Sequence, residues 1–198
     1  MTQPIGIVLA GGTSRRFGGD KVSAPFEGRP LVHHALERLA QVVDDIVLVL
    51  APDADIPPLP PEIAGRIAIA RDATPHGGPL AGLAAGLDAI ASTGFATALV
   101  VGADMPRLEP AVLRLLASTP ANGATAAAVL EADPPATLPM ALAVDLARLA
   151  ANALLAEDRR SLHALLDALH VTTIAATTWR RLDPDGHSLD DIDHPTDR

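Results

Sequence analysis

Short apolar runs punctuate this chain at 5–10, 46–51, 67–70, 98–102, 124–130 and 171–176. They are rich in β-branched residues and free of charge, the pattern of strands covered on both faces. Between them, apolar positions recur at helical spacing. Leu31, Ala35, Leu36 and Leu39 make one stripe, Leu83, Leu87 and Ile90 a second, and Leu162, Leu165, Leu166 and Leu169 a third. Strands alternating with helices predict an α/β domain with a mostly parallel sheet wrapped on both faces. The region 111–156 is rich in alanine yet periodic, and it reads as folded. Residues 56–61, Ile-Pro-Pro-Leu-Pro-Pro, read as an extended surface loop.

A length of 198 residues supports one domain with a full core, spanning 1–198. Aromatic residues make up only 2% against 48% hydrophobic, so the core is built from Ala, Leu, Val and Ile. The absence of cysteine excludes disulfides, thiolate metal sites and thiol nucleophiles. The 7 histidines lack metal-ligand spacing, and the adjacent His33 and His34 diverge on a helix, which argues against zinc. No Gly-x-Ser-x-Gly elbow supports a serine hydrolase. A net charge of −9 argues against nucleic acid and anionic membranes as partners. With neither a leader nor a membrane span in the pattern, a cytoplasmic protein is expected. Asp183, Asp185, Asp190, Asp191 and Asp193 read as a solvated acidic tail from about residue 183.

In a doubly wound sheet, ligands bind beyond the carboxyl ends of the strands, so chemistry is expected just after the apolar runs. The first run empties into Leu9-Ala-Gly-Gly-Thr-Ser-Arg-Arg-Phe-Gly-Gly-Asp-Lys21. Gly11 and Gly12 leave backbone N–H groups uncovered as an anion-binding nest, and Arg15, Arg16 and Lys21 supply cations for a triphosphate. The spacing matches neither the P-loop nor G-x-G-x-x-G, which disfavours kinases and dinucleotide dehydrogenases. After the fourth run comes Ala103-Asp104-Met105-Pro106, where Asp104 suits a Mg2+ ion that takes its other ligands from phosphate and water. A helix cap near Glu109 is the alternative for Asp104. Gly77-Gly-Pro-Leu-Ala-Gly82 suits a helix N-terminus that approaches a ligand, with Gly78 and Pro79 nearest to it. Gly82 and Gly86 equally suit helix-on-strand packing. Asp72 can meet a base edge or a ribose, or simply cap its loop.

These motifs, Leu9-Ala-Gly-Gly-x-Ser-x-Arg-x-Gly-x-Asp-Lys21, Gly78-Pro-Leu-Ala-Gly82 and Asp104-Met-Pro106, resemble those of the molybdenum cofactor guanylyltransferases. The resemblance extends to Asp158-Arg-Arg-Ser-Leu-x-Ala-Leu-Leu166 and to Asp191-Ile-Asp-His-Pro195, so it covers nearly the whole chain. It implies a Rossmann-like three-layer αβα sandwich with a mostly parallel mixed sheet, of the nucleotide-diphospho-sugar transferase type. The implied activity is transfer of GMP from GTP to molybdopterin, with Mg2+ as cofactor and pyrophosphate released; CTP, or another phosphorylated acceptor, defines the neighbouring activities. Product handover to cofactor-inserting proteins is part of the same expectation. Leu9, Ala10, Gly11, Gly12, Ser14, Gly78, Pro79 and Leu80 would hold the nucleotide, Asp72 its nucleoside end, and Arg16 and Lys21 its phosphates. Asp104 would hold the metal, with Asp193 a second candidate, and Arg159 and Arg160 are candidates for the acceptor phosphate or else ordinary surface cations. The chain departs from the family at Leu50-Ala51-Pro52, where Asn is common, and at Ala103, where Cys is common.

Overall fold

The computed structural model describes residues 3–11, 21–72, 77–119 and 125–192. The chain runs β1 (Ile5–Leu9), β2 (Pro25–Phe26), β3 (Arg29–Pro30), α1 (Leu31–Leu39), β4 (Ile46–Leu50), β5 (Ile67–Arg71), α2 (Pro79–Ala89), β6 (Thr97–Gly102) and α3 (Pro110–Ser118). It continues through β7 (Ala127–Leu130), β8 (Met140–Ala143), α4 (Val144–Ala156), α5 (Leu162–Ala168), β9 (Val171–Ile174) and α6 (Ala176–Trp179). A seven-stranded sheet has the order β5-β4-β1-β6-β8-β7-β9, and β2 and β3 form a separate small hairpin. Only β8 runs antiparallel to its neighbours in the large sheet.

Alternating side chains divide the core into two halves. Ile5, Ile7, Val47, Val49, Ala98 and Val100 face α2, α4 and α5, while Val8, Ile46, Leu48, Leu50, Leu99 and Val101 face α1 and α3. The three helical stripes read from the sequence lie on α1, α2 and α5. Gly86 explains how α2 comes so close to the sheet, because a Cβ there would stand 3.0 Å from both Ile7 Cγ2 and Val49 Cγ2. A Cβ on Gly82 would make ordinary contact with Val49 at 3.7 Å, so the packing role belongs to Gly86.

Six strands coincide with the six apolar runs, with ends shifted by up to three residues. The seventh, β8, is a Met-Ala-Leu-Ala segment without a β-branched residue. Burial against both layers, not propensity, makes it a strand. The outer strands β5 and β9 are only partly covered, in contrast to the buried central ones. The proline segment at 56–61 has no regular structure, but Pro57 and Pro60 are buried in it. His33 and His34 do diverge, toward the Pro58 and Phe26 carbonyls respectively. No helix among the described residues is long and apolar enough to cross a membrane.

The solvated-tail reading needs correction at its first residue. Asp183 is buried and accepts hydrogen bonds from the N–H groups of Gly186 and His187 at 3.1 Å each and from Ser188 N–H at 2.7 Å, closing the turn His187–Leu189. Ser188 and Ile192 are buried as well, so this segment returns to the domain, whereas Asp185 and Asp191 are exposed. Burial alone would push the Asp183 carboxyl up, but the bonds from Ser188, His187 and Gly186 outweigh it and hold it below the ordinary carboxylate range. Replacing Asp183 with alanine leaves these donors in a buried turn without their acceptor, an expected loss of about 2 kcal/mol, or roughly 4–8 °C in Tm. Because the folded pKa is depressed, the wild-type advantage is complete above about pH 4 and fades as pH falls through the native value. Melting curves of both proteins between neutral pH and pH 3 check this; an advantage that grows on acidification would contradict it.

Candidate active site

The order β5-β4-β1-β6 places the carboxyl ends of four parallel strands side by side, with the reversal of strand order between β1 and β6. In such sheets this crevice is where ligands bind. Leu9, Ala10 and Gly11 leave β1 at the crevice. Ala103 N–H donates to Leu9 O at 3.0 Å and Ala10 N–H to Val49 O at 2.9 Å, fixing the start of the glycine loop between its neighbours. Gly11 is exposed, and among the described residues a Cβ on it would meet only Ala51 N, at 3.8 Å.

Across the crevice, Lys21 Nζ donates to Asp104 Oδ2 at 2.8 Å. The two side chains, 12% and 31% exposed, come from positions 83 residues apart. Asp104 is not a helix cap; Glu109 caps α3, its carboxylate accepting from Ala111 N–H at 3.4 Å. Its backbone is held instead, since Ile192 N–H donates to Asp104 O at 3.0 Å. Gly102 makes room for the carboxylate, as a Cβ at 102 would fall on Asp104 Oδ1. No group of three or more His, Asp or Glu residues placed to hold a metal occurs among the described residues. A single carboxylate at a strand end therefore fits a hard cation such as Mg2+, which takes most of its ligands from substrate and water, and not a protein-caged ion.

Farther along the sheet, Asp72 follows β5 with its N–H on Leu50 O at 2.9 Å. Arg71, beside it, donates from Nη1 to the carbonyls of Ala51, Pro52 and Ala54 at 3.1, 3.0 and 2.8 Å. Gly78 precedes α2 with φ +81, and Pro79 opens the helix. The Gly78 backbone lies against Arg160, whose carbonyl would stand 2.9 Å from any Cβ at 78. The same carbonyl accepts from Leu80 N–H at 3.2 Å. Of the residues expected to hold the nucleotide here, Leu80 has its side chain fully buried in the core, whereas Gly78 is partly exposed and Pro79 exposed.

The two adjacent arginines differ. Arg160 is engaged, its Nε 2.7 Å from Asp158 Oδ1 and its Nη1 donating to Gly77 O at 3.4 Å. Arg159 is exposed, and both arginines line a cleft of about 600 Å³ with Gly78, Pro79, Ser161 and His163. Gly12, Ser14, Arg15, Arg16 and Asp193, also expected at the site, lie outside the described residues. Arg71 and Gly102 share one signal in the sequence, a polar residue or glycine at the last position of a parallel strand, although the hold of Arg71 on 51–54 is not legible there.

Residues 6–173 match the model of the MobA-like NTP transferase domain. A protein from Chloroflexus aggregans named probable molybdenum cofactor guanylyltransferase is 31% identical over 196 residues, covering 97% of this chain and 90% of that one. Among solved structures, molybdopterin-guanine dinucleotide biosynthesis protein A from Archaeoglobus fulgidus superposes with a TM-score of 0.78 at 23% identity, over 98% of this chain and 94% of that one. 2-C-methyl-D-erythritol 4-phosphate cytidylyltransferase from Thermus thermophilus superposes with a TM-score of 0.71 at 17% identity, over 100% and 95% of the two chains. At these identities the two structures establish the Rossmann-like fold of nucleotidyltransferases.

Proposed function

The chain belongs to the MobA-like NTP transferase family and is a nucleotidyltransferase, and on that premise we propose that it transfers GMP from GTP to molybdopterin. The observation that carries the reading is the Lys21–Asp104 pair at the β1/β6 crevice, a cation and a metal-competent carboxylate held 2.8 Å apart where a triphosphate would lie. The choice of guanine and of molybdopterin rests on the relative from Chloroflexus aggregans and its name.

In this reading the glycine loop from Gly11 receives the phosphates on backbone N–H groups. Lys21 shifts from Asp104 toward the β- and γ-phosphates, exchanging one anionic partner for another at little cost in charge. Asp104 would hold Mg2+ at its carboxylate, and the ion would supply neutralisation of the charge that develops on the leaving group. An oxygen of the acceptor's terminal phosphate attacks the α-phosphorus in line; the new P–O bond forms as the bond to the bridging oxygen of pyrophosphate breaks. No protein nucleophile takes part. Asp72 and the ends of β4 and β5 face the nucleoside, and Arg159 presents the charge for the acceptor phosphate beside Gly78 and Pro79.

A competing choice of base, cytosine, has one observation behind it: Leu50-Ala51-Pro52 lacks the Asn common in the family at this position. Pyrophosphate release measured with Mg2+ and molybdopterin, from GTP, CTP, ATP and UTP in parallel, decides. We expect release from GTP that requires molybdopterin and exceeds release from the other three by at least about tenfold, a difference of roughly 1.4 kcal/mol in transition-state binding. Preference for CTP moves the protein to cytidylyl transfer with the same machinery. Release that is indifferent to molybdopterin removes the acceptor assignment.

A further inference from the structure

Edge strand β5 is bracketed by two arginines, each holding a loop of its neighbour β4. At the amino end, Arg66 donates from Nε to Asp44 O at 2.6 Å and from Nη2 to the Ala40 and Val43 carbonyls, gathering the turn between α1 and β4. At the carboxyl end, Arg71 Nη1 gathers the carbonyls of Ala51, Pro52 and Ala54 within 3.1 Å. The two clasps are alike in chemistry and opposite in place. The Arg66 clasp lies at the end of the sheet away from ligands, while the Arg71 clasp stands in the row of strand ends that forms the crevice.

The segment it holds borders the nucleotide. A Cβ on Gly11 would have Ala51 N as its neighbour at 3.8 Å, and Asp72, the next residue after Arg71, is bonded back to Leu50 O. Ala51, Pro52 and Ala54 offer no side chain that could hydrogen-bond a base, so apart from the exposed Asp53 carboxylate any edge the segment presents is backbone. A backbone edge discriminates between bases only if its position is fixed, because a loop free to shift by an ångström can adapt to either purine or pyrimidine. Apart from Arg71, the segment is held among the described residues by a single turn bond, Ala54 N–H to Ala51 O at 3.2 Å, and it contains no helix or strand.

We infer that Arg71 is the residue that sets base selectivity, as a positioning residue that fixes the 51–54 backbone against the nucleoside. Arg71 does not itself read the base. The inference rests on the nucleotide site proposed above and names its selectivity device.

The test compares the wild-type chain with Arg71→Ala, Arg71→Lys and Arg66→Ala. Calorimetric Kd values for GTP and CTP are measured without acceptor, alongside kcat and KM for the preferred nucleotide. The wild type is expected to prefer one base, and Arg71→Ala to shrink the GTP/CTP ratio of Kd values at least fivefold, raising KM for the preferred nucleotide with kcat within twofold. Arg71→Lys should recover much of the ratio, since one ammonium carries donors for all three carbonyls. Arg66→Ala should lower Tm and leave the ratio unchanged. A ratio within twofold of wild type in Arg71→Ala, an equal change in Arg66→Ala, or a wild type that binds both nucleotides alike overturns the inference. A wild type that binds neither nucleotide instead overturns the site reading on which it rests. Should Arg71→Ala fail to fold, Arg71→Met, which keeps the length of the side chain and loses its donors, takes its place under the same thresholds.

Discussion

Alanine at Asp104 is expected to lower kcat for pyrophosphate release by about 10³-fold or more while the domain remains folded. The fold is insensitive because what anchors residue 104 is its backbone. Ile192 N–H donates to its carbonyl, and the neighbouring Ala103 N–H is held by Leu9 O. Removal of the carboxylate does take from Lys21, only 12% exposed, an acid partner at 2.8 Å. That costs about 2 kcal/mol at most, a Tm lower by less than roughly 8 °C. The catalytic loss is larger because the carboxylate is the one that pairs with Lys21 at the crevice among the described residues, and neutralising a leaving pyrophosphate needs a cation that such a carboxylate recruits. Asp104→Asn separates charge from shape. It keeps size and hydrogen bonding, and it should be nearly as inactive as the alanine variant. Activity of Asp104→Ala within tenfold of wild type, measured at saturating Mg2+ and nucleotide, would place the reacting phosphorus elsewhere.

How much of this was legible in the sequence differs from element to element. The buried strands β1, β4 and β6 announce themselves, since a strand covered on both faces has to be apolar at every position and nothing else in a short segment does that. Strand β8 does not, because alanine and leucine favour helix, and its place between β6 and β7 is decided by partners far along the chain. The C-terminal segment misled for a related reason. Counting charges marks 183–193 as solvated, yet an aspartate is at home inside when backbone N–H groups converge on it, and only the turn geometry around Asp183 reveals that they do. The burial of the Leu80 side chain was not legible, because a motif gives order along the chain and not direction in space. Lys21 and Asp104 were each visible as residues, but the 83 positions between them hide the ion pair that joins them. Arg71 was visible only as a polar strand end, and its hold on three carbonyls depends on how the 51–54 loop folds back.

Lys21→Ala provides the test of whether that ion pair is one device or two. On its own the variant is expected to lose about 10²-fold in kcat/KM for the nucleotide, with KM raised as well as kcat lowered, because a lysine at the phosphates binds the triphosphate before it stabilises its departure. The loss is smaller than at Asp104, since the backbone nest of the glycine loop still offers donors when Lys21 is gone. In the double variant Lys21→Ala/Asp104→Ala the two losses should fail to multiply. Once the carboxylate is missing, Lys21 has lost its 2.8 Å bond to it and with that bond much of its positional advantage, so the double variant should be within about threefold of Asp104→Ala alone. Full multiplication of the two losses would mean that each residue meets the substrate independently and that their 2.8 Å contact is a resting-state convenience. The cycle also separates fold from function: Tm of the double variant should be no lower than that of Asp104→Ala, because the double variant also removes the largely buried ammonium whose carboxylate the single variant deletes.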